Sequence, residues 1–543
     1  MNKWLIAIIL LAAVLRIAFL GSHMPSLYGD EISIGYNAWS VLHTGKDEFG
    51  RFMPIQFESW GDQKNPVYIY IVALFEIIFG LSATAVRLPS ALSGVLAVWL
   101  TYLLVKQLGR GPEKVALISA LLLAISPWHI HISRGGYEAN MALSLGLAGA
   151  YFFLKWVKAE KWTHFIYSNI AFVLAMYTYY TTKLFVPMLI LLLLVWGYFA
   201  VTKNTQTYLK NAAAYLIVFG ILCLPVVYLA LFSNGQARFA SINIFSNPEV
   251  AERVIEMRNN SLLSPTLGPL LINKPYLWLR DFLEYYVDNL SPLFWYVAGD
   301  SSLRYSMGNH GMFYLIEAPF FLFGFLALFQ KNKRLFLFLL AWMLIAVFPT
   351  ALVGKSYGLR SIALLPIPVI FTAYGLVSTN EYLKRFVTSN TIRNSIAGII
   401  IVIFALNFGN WLVRYIHVYP VYGYYWYDGM QQDAVMYPLL QSKMYDHIFI
   451  SKYYGKTEMY YAYYTGLDPA EYQRCSQNKV LIAGTEMVQC GKYYFGDIDT
   501  KNKGFEELGI PENSLVIGAP DAIFGTEKII ARDDKRTLFK VIK

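Results

Sequence analysis

Two adjacent carboxylates, Asp30 and Glu31, stand in "LYGDEISIGYN" just after an apolar N-terminal segment, with no Lys or Arg inside the quoted stretch. Acids are costly at a bilayer edge, so a chain that keeps a pair there has work for them. Two further stretches carry related chemistry. "SPWHIHISRGGYEANMALS" brings His129, His131, Arg134 and Glu138 together, and "GKSYGLRS" adds Lys355 and Arg360. A carboxylate beside an acceptor takes its proton, and Arg or Lys holds a phosphate. The combination suits transfer of a group from a phosphate-bearing lipid, whose leaving anion needs stabilisation. A channel would place its ionisable residues inside its spans, and here the spans are mostly clean.

Each residue also has a plainer reading. Glu31 suits an acid that starts a helix at 32–42 by accepting backbone N–H groups. His129 and His131 suit packing or hydrogen bonding better than metal ligation, since no third ligand stands near. Arg87, before "LPSAL", would anchor a span end at the headgroups as readily as bind a donor. Lys46, Asp47, Glu48 and Arg51 read as a solvated loop face.

These residues must be positioned by a membrane scaffold. The 543 residues are 56% hydrophobic and 15% charged, where a soluble chain carries about a quarter charged. Apolar runs at 4–21, 88–107, 114–131, 139–156, 165–181, 184–201, 211–232, 312–330, 335–352, 361–379 and 395–413 predict an α-helical polytopic membrane protein with about eleven transmembrane helices. The first run, interrupted by Arg16 and followed by a poor cleavage site, reads as an uncleaved helix with its N-terminus inside. Basic clusters then fall on one side: Lys106, Arg110 and Lys114; Lys155, Lys158 and Lys161; Lys203 and Lys210; Lys331, Lys333 and Arg334; Lys384, Arg385 and Arg393. The formal charge of +10 therefore belongs to cytoplasmic loops and gives no reason to expect nucleic acid. Residues 66–82 contain Glu76, and counting them as a crossing would reverse every later loop, so they read as an interfacial or re-entrant helix.

The predicted organisation is a transmembrane domain, 1–413, with a first outer loop at 22–87 and a long outer segment at 233–311, then an extracytoplasmic α/β domain at 414–543. In the tail, strand-like runs "DHIFISKYY", "NKVLIAGTEMVQ" and "NSLVIGAP" alternate with the helix-compatible "KTEMYYAYYTG". Its Tyr-rich start, "YPVYGYYWYDG", suits a surface lying against headgroups. Cys223 lies in a span, while Cys475 and Cys490 share the outer domain, where both a disulfide and two separate thiols are open. No Cys/His spacing marks a zinc site.

"GDEISIGYNAWSVLHTGKDEFGRFMPIQFESWGDQKNPVYIY", "AVRLPSAL", "SPWHIHISRGGYEANMAL" and "KSYGLRSIALLPIPVIFTAYGL" occur in that order. This set resembles the bacterial relatives of protein O-mannosyltransferases and lipid A aminoarabinose transferases, C-type integral membrane glycosyltransferases. The resemblance implies that Asp30 is the general base, with Glu31 beside it, and that Glu138, following Arg134, is the second acid. It implies that Lys64, in "QKNP" where the family has an "EKPP"-like stretch, contacts the donor phosphate; Gln63 and Asn65 depart from that pattern. Arg134, Arg360 and Arg87 are further candidates for the phosphate. The implied reaction moves a sugar, with inversion, from a polyprenyl-phosphate donor to a protein, lipid or glycan acceptor outside the cytoplasm. Membrane lipids are the other expected partner. No motif names a cofactor, and a divalent metal stays open. A transporter or flippase of lipid-linked sugars would share this topology, although no inverted repeat is visible; a non-catalytic surface assembly protein is the third reading.

Overall fold

A computed structural model describes residues 2–24, 26–59, 62–108, 113–200, 205–232, 243–355, 357–482, 484–498, 509–519, 528–531 and 537–542. Arg110 and Lys203, two of the basic loop residues, and 233–242 of the long outer segment lie outside these residues. The chain forms two compact units: residues 1–18 with 90–415, and residues 19–89 with 416–543. The first loop thus groups with the tail, whereas the sequence reading attached it to the membrane domain.

The first unit is helical. Each expected span overlaps helical residues, and 114–131 falls on two helices, Glu113–Ile125 and Pro127–Arg134. Among the described residues, six helices are long and apolar enough to cross a membrane: Ala83–Leu108, Thr182–Phe199, Thr205–Leu229, Lys333–Ala351, Ile362–Phe386 and Asn390–His417. The pair Glu113–Ile125 and Pro127–Arg134, bent by 55°, would make a seventh. The protein is a multi-pass membrane protein. Helices Glu317–Lys331 and Pro366–Phe386 approach so closely that a Cβ on Gly324 or Gly375 would collide with the other helix's backbone, the small-residue contact typical of packing in lipid.

The bend has a local cause. Pro127 has no N–H and clashes with the preceding turn, so carbonyls near the end of Glu113–Ile125 lose helical partners. Arg16, buried in helix Lys3–Ile17, donates to Ala124 O at 3.0 Å and Leu123 O at 3.1 Å. It also reaches His129 Nδ1 at 2.8 Å, which puts the imidazole proton on Nε2. The interruption seen in the first apolar run is therefore a clasp on a broken helix.

The second unit joins helix Gly29–Thr44, the hairpin Phe57–Ser59 and Asp62–Lys64, and helix Pro66–Phe79 to the tail. Helix Pro66–Phe79 has 14 residues, about 21 Å of rise against about 30 Å of hydrocarbon. The tail carries a seven-stranded mixed sheet with His447–Ser451 at its centre, parallel to Tyr493–Gly496 on one side and Ser514–Gly518 on the other. Strands Thr485–Cys490 and Lys479–Ile482 extend one edge, Thr537–Ile542 and Lys528–Ala531 the other, all antiparallel. Strands packed on both faces read as continuous apolar runs, which is why "HIFIS" and "SLVIG" are buried almost throughout. Cys475 and Cys490 are joined as a disulfide, and Cys223 is free and buried. Tyr419, Tyr424 and Tyr427, expected to meet headgroups, are buried within this unit.

Candidate functional site

Helix Gly29–Thr44 begins with its two acids in its first turn, where the amide dipoles favour negative charge. Successive helical residues point about 100° apart, and the pair separates accordingly. Glu31 turns inward and is fully buried, and Arg87 Nε and Nη2 donate to its two oxygens at 2.7 and 2.8 Å. Glu31 also accepts from Tyr28 N at 3.3 Å, the capping role anticipated for it. Arg87, itself 1% exposed, donates further to Ser26 O at 2.5 Å. Asp30 turns outward: its side chain is 48% exposed, and Lys64 Nζ lies 2.6 Å from Oδ1. Lys64 comes from the last residue of the hairpin and is 9% exposed. The second unit therefore assembles Asp30 with Lys64 and Glu31 with Arg87. One pair faces outward and the other is enclosed.

The loop after this helix departs from its solvated reading. Asp47 and Glu48 are buried, while Lys46 and Arg51 are exposed. Asp47 accepts from Phe49 N, Arg51 N and Arg51 Nε, and its carbonyl receives Gln473 Nε2 at 2.8 Å. Asn37 exchanges two hydrogen bonds with Glu48, donating to Oε1 at 3.1 Å and accepting from Glu48 N at 3.0 Å. Burial pushes the Glu48 carboxyl up to about 7; Lys456 and Asn37 oppose the rise, and Asp47 and Glu458 add to it. A carboxyl raised on folding binds its proton more tightly in the folded chain, so its stabilisation holds at low pH and is lost as pH climbs from the ordinary value of 4.5 to about 7. Glu48→Gln keeps an acceptor for Asn37 and removes the titration. We expect the wild-type unit to lose at most about 3 kcal/mol across this window and the variant to lose little of it. Melting curves of the two proteins at about pH 5 and about pH 8 check this; parallel shifts in both would refute it.

Arg134, Glu138 and Arg360 belong to the first unit. Arg134 is 5% exposed and donates through Nη1 to Leu15 O at 3.1 Å and Ala18 O at 2.9 Å. Its guanidinium thus caps the end of helix Lys3–Ile17. Glu138 opens helix Glu138–Ala159 and is half-buried. Arg360 lies over the Tyr357 ring at 4.5 Å, and Tyr357 packs on Tyr305 at 4.7 Å. His131 Nε2 is 3.1 Å from Arg304 O, so both histidines serve hydrogen bonding and packing. Lys355 lies 3.9 Å from Glu284 on the surface.

A residue the sequence reading passed over, Asp300, fixes the "GKSYGLRS" loop. Its carboxylate accepts from Gly358 N at 2.5 Å and Ser302 N at 2.8 Å. Burial raises it to about 6 against those bonds and Arg360. Trp128 Nε1 holds Gly358 O from the other side at 2.9 Å. The "DSS" turn was the available signal, an Asp whose side chain bonds the backbone two residues on. Among the described residues, no three His, Cys, Asp or Glu side chains gather as a metal site.

The model of the family "Dolichyl-phosphate-mannose-protein mannosyltransferase" matches residues 63–230. YycA of Bacillus subtilis, which carries a mannosyltransferase name, is 30% identical over 156 residues, 28% of this chain and 22% of that one. The undecaprenyl phosphate-alpha-4-amino-4-deoxy-L-arabinose arabinosyl transferase of Pseudomonas savastanoi pv. phaseolicola is 33% identical over 118 residues, 22% of this chain and 20% of that one. The chain thus matches about a fifth of the length of these curated relatives. In fold, the structure of ArnT from Cupriavidus metallidurans bound to undecaprenyl phosphate superposes with a TM-score of 0.52 at 15% identity, over 99% of this chain and 98% of that one. The resemblance read from the ordered motifs is thus met in sequence by the family model over residues 63–230, and in fold by the ArnT structure.

Proposed function

We propose, from that relationship, that the protein moves a sugar from a polyprenyl-phosphate carrier to an acceptor on the extracytoplasmic side, with inversion at the anomeric carbon. The observation that carries this reading is the outward Asp30, half exposed and paired with a nearly buried Lys64 at 2.6 Å. Asp30 takes the proton of the acceptor hydroxyl or amine as that atom attacks the anomeric carbon. The bond from that carbon to the phosphate oxygen breaks with its electron pair, leaving polyprenyl phosphate with one more negative charge. Lys64 is placed to offset that charge, exchanging Asp30 for the phosphate as the proton moves. Glu138 and Arg360 are proposed, from the sequence resemblance alone, as a second acid and a further phosphate contact. Arg134, spent on two helix-end carbonyls, enters as the residue that fixes the end of the first helix. Glu31 and Arg87 hold the helix that presents Asp30.

The topology belongs to the same proposal: about eleven crossings, the N-terminus inside and the tail outside, as the basic loops imply. There a flipped lipid-linked sugar is available and cytosolic nucleotide sugars are not. Deleting the gene in its source cell should leave a charged lipid-linked sugar accumulated in a total lipid extract and its acceptor bare. A lipid profile unchanged by the deletion, and unchanged again on overexpression, would end this reading.

A further inference from the structure

The loop after helix Gly29–Thr44 exposes apolar side chains where a solvated loop exposes polar ones. Phe52 is 75% exposed, and Met53 and Ile55 stand exposed beside it. The loop's shape is fixed from within. Lys46 and Phe52 form an antiparallel bridge, Met53 N donates to Gly45 O at 2.9 Å, and the Asp47 carboxylate takes Phe49 N and Arg51 N. Gly45 and Gly50 supply positive φ of 69° and 86° at its reversals. The Tyr70 hydroxyl, from the second turn of helix Pro66–Phe79, donates to Pro54 O at 2.9 Å, and the Tyr70 ring meets Phe57 edge-on at 5.5 Å. Pro54 stands between Met53 and Ile55, so the tip is tied to that helix. The helix itself is amphipathic in reverse. Tyr68, Val72 and its one acid, Glu76, are buried, while Leu74, Ile77 and Ile78 are exposed. At about 100° per residue, those three follow Tyr70 along one stripe, on the side away from Glu76. A helix facing water turns its charge outward and its aliphatic side chains inward; this one does the opposite.

We propose that the loop tip and this stripe form one lipid-docking face, with Phe52, Met53 and Ile55 seated where headgroups meet acyl chains. The bilayer is the partner because the stripe has the chemistry of hydrocarbon alone. Leu74, Ile77 and Ile78 offer no hydrogen-bonding side chain, whereas protein interfaces carry about one hydrogen bond per 100–200 Å². Large exposed apolar patches are otherwise rare on a folded surface. Lys46 supplies the headgroup contact. Its bridge to Phe52 sets the two side chains next to each other. An exposed Lys beside an inserted ring lays its stem along the apolar surface and leaves its ammonium among phosphates. Arg51 is engaged by Asp47 at 2.7 Å and Glu58 at 3.2 Å, so its guanidinium closes the loop. The loop begins at Gly45, the C-cap of helix Gly29–Thr44. Seating it among headgroups fixes the depth at which that helix ends.

The test places the full chain in vesicles of phosphatidylethanolamine and phosphatidylglycerol, with no sugar donor or acceptor present. Phe52→Cys, Ile55→Cys and Ile77→Cys each receive a nitroxide spin label, and Glu486→Cys, exposed on strand Thr485–Cys490, is the control in water. Cys223 is buried and Cys475 and Cys490 are bonded to each other, and the wild-type chain treated alike sets the background. Collision of each label with oxygen, which prefers lipid, is compared with collision with a water-soluble nickel chelate. At Phe52, Ile55 and Ile77 the oxygen-to-nickel ratio should exceed that at Glu486 at least about tenfold, as expected about 5–10 Å into the headgroup and acyl boundary. Ratios at Phe52 and Ile55 that match Glu486 would leave the loop in water and overturn the proposal, whatever Ile77 shows. Labels shielded from both reagents would mean that protein covers the face, a second copy if their spectra broaden in the fully labelled sample, and would overturn it equally. Ile55 carries the loop's test if Phe52→Cys does not fold. No transfer is measured, so the result is independent of the sugar-transfer proposal.

Discussion

Asp30→Asn should leave the protein folded and inserted in the membrane while transfer falls by at least about 100-fold, the usual worth of a positioned general base. Asn matches Asp in size, and its amide oxygen still accepts from Lys64, whose Nζ lies 2.6 Å from Oδ1 in the native pair. What disappears is the group proposed to receive the acceptor's proton. The charge balance makes the prediction sharper. Lys64, only 9% exposed, loses its carboxylate counterion and gains reason to hold a phosphate. Binding of undecaprenyl phosphate, the probe suggested by the matched relative's ligand, should therefore be unchanged or tighter in the variant. A fall in kcat with no rise in KM for the donor is the expected signature of a group that acts in the transition state. Turnover within a few-fold of wild type would remove Asp30 from the chemistry.

How far the sequence goes is clearest at the residues where it divides from the structure. Apolar runs located the helices because burial in lipid leaves a continuous hydrophobic record. Asn65-Pro66 and Gly80 bound helix Pro66–Phe79 by local rules that any reader of the chain can apply. The acidic pair was also visible, and a helical twist between neighbours says that one acid faces in and the other out. Which is which depends on Arg87, 56 residues later, and no local rule reaches that far. Glu48 looked solvated because its partner Asn37 lies on the preceding helix; Asp47 is satisfied by the nearby Phe49 and Arg51, and Gln473, which reaches its backbone carbonyl, arrives from the tail. The tyrosines of "YPVYGYYWYDG" looked like an interfacial belt because amphipathic rings suit headgroups and a mixed core equally. Asp300 and Asp428 escaped notice for a common reason. Each acts on a backbone N–H of a distant segment, Gly358 in one case and Gly29 in the other, and a backbone amide leaves no mark in sequence.

Arg87→Ala should cost the second unit about 3–5 kcal/mol, the range for removing one partner of a buried ion pair. The loss exceeds that of a surface bridge because Glu31 stays behind with no exposed side-chain area, an ionised carboxyl in a site built around a guanidinium. Ser26 O loses its donor at the same stroke. Replacing both members, Glu31→Gln with Arg87→Met, should recover much of the stability, since an apolar and neutral pair of similar size carries no stranded charge. The same variants decide between the two readings of Arg87. If Arg87 held the donor phosphate, Arg87→Ala would weaken undecaprenyl phosphate binding while the melting temperature stayed put. If its work is to clasp Glu31, the melting temperature falls, the double variant restores it, and the folded fraction binds undecaprenyl phosphate as the wild type does. The enclosed geometry, with both side chains at 1% exposure or less, selects the second outcome. A stable Arg87→Ala protein would contradict it.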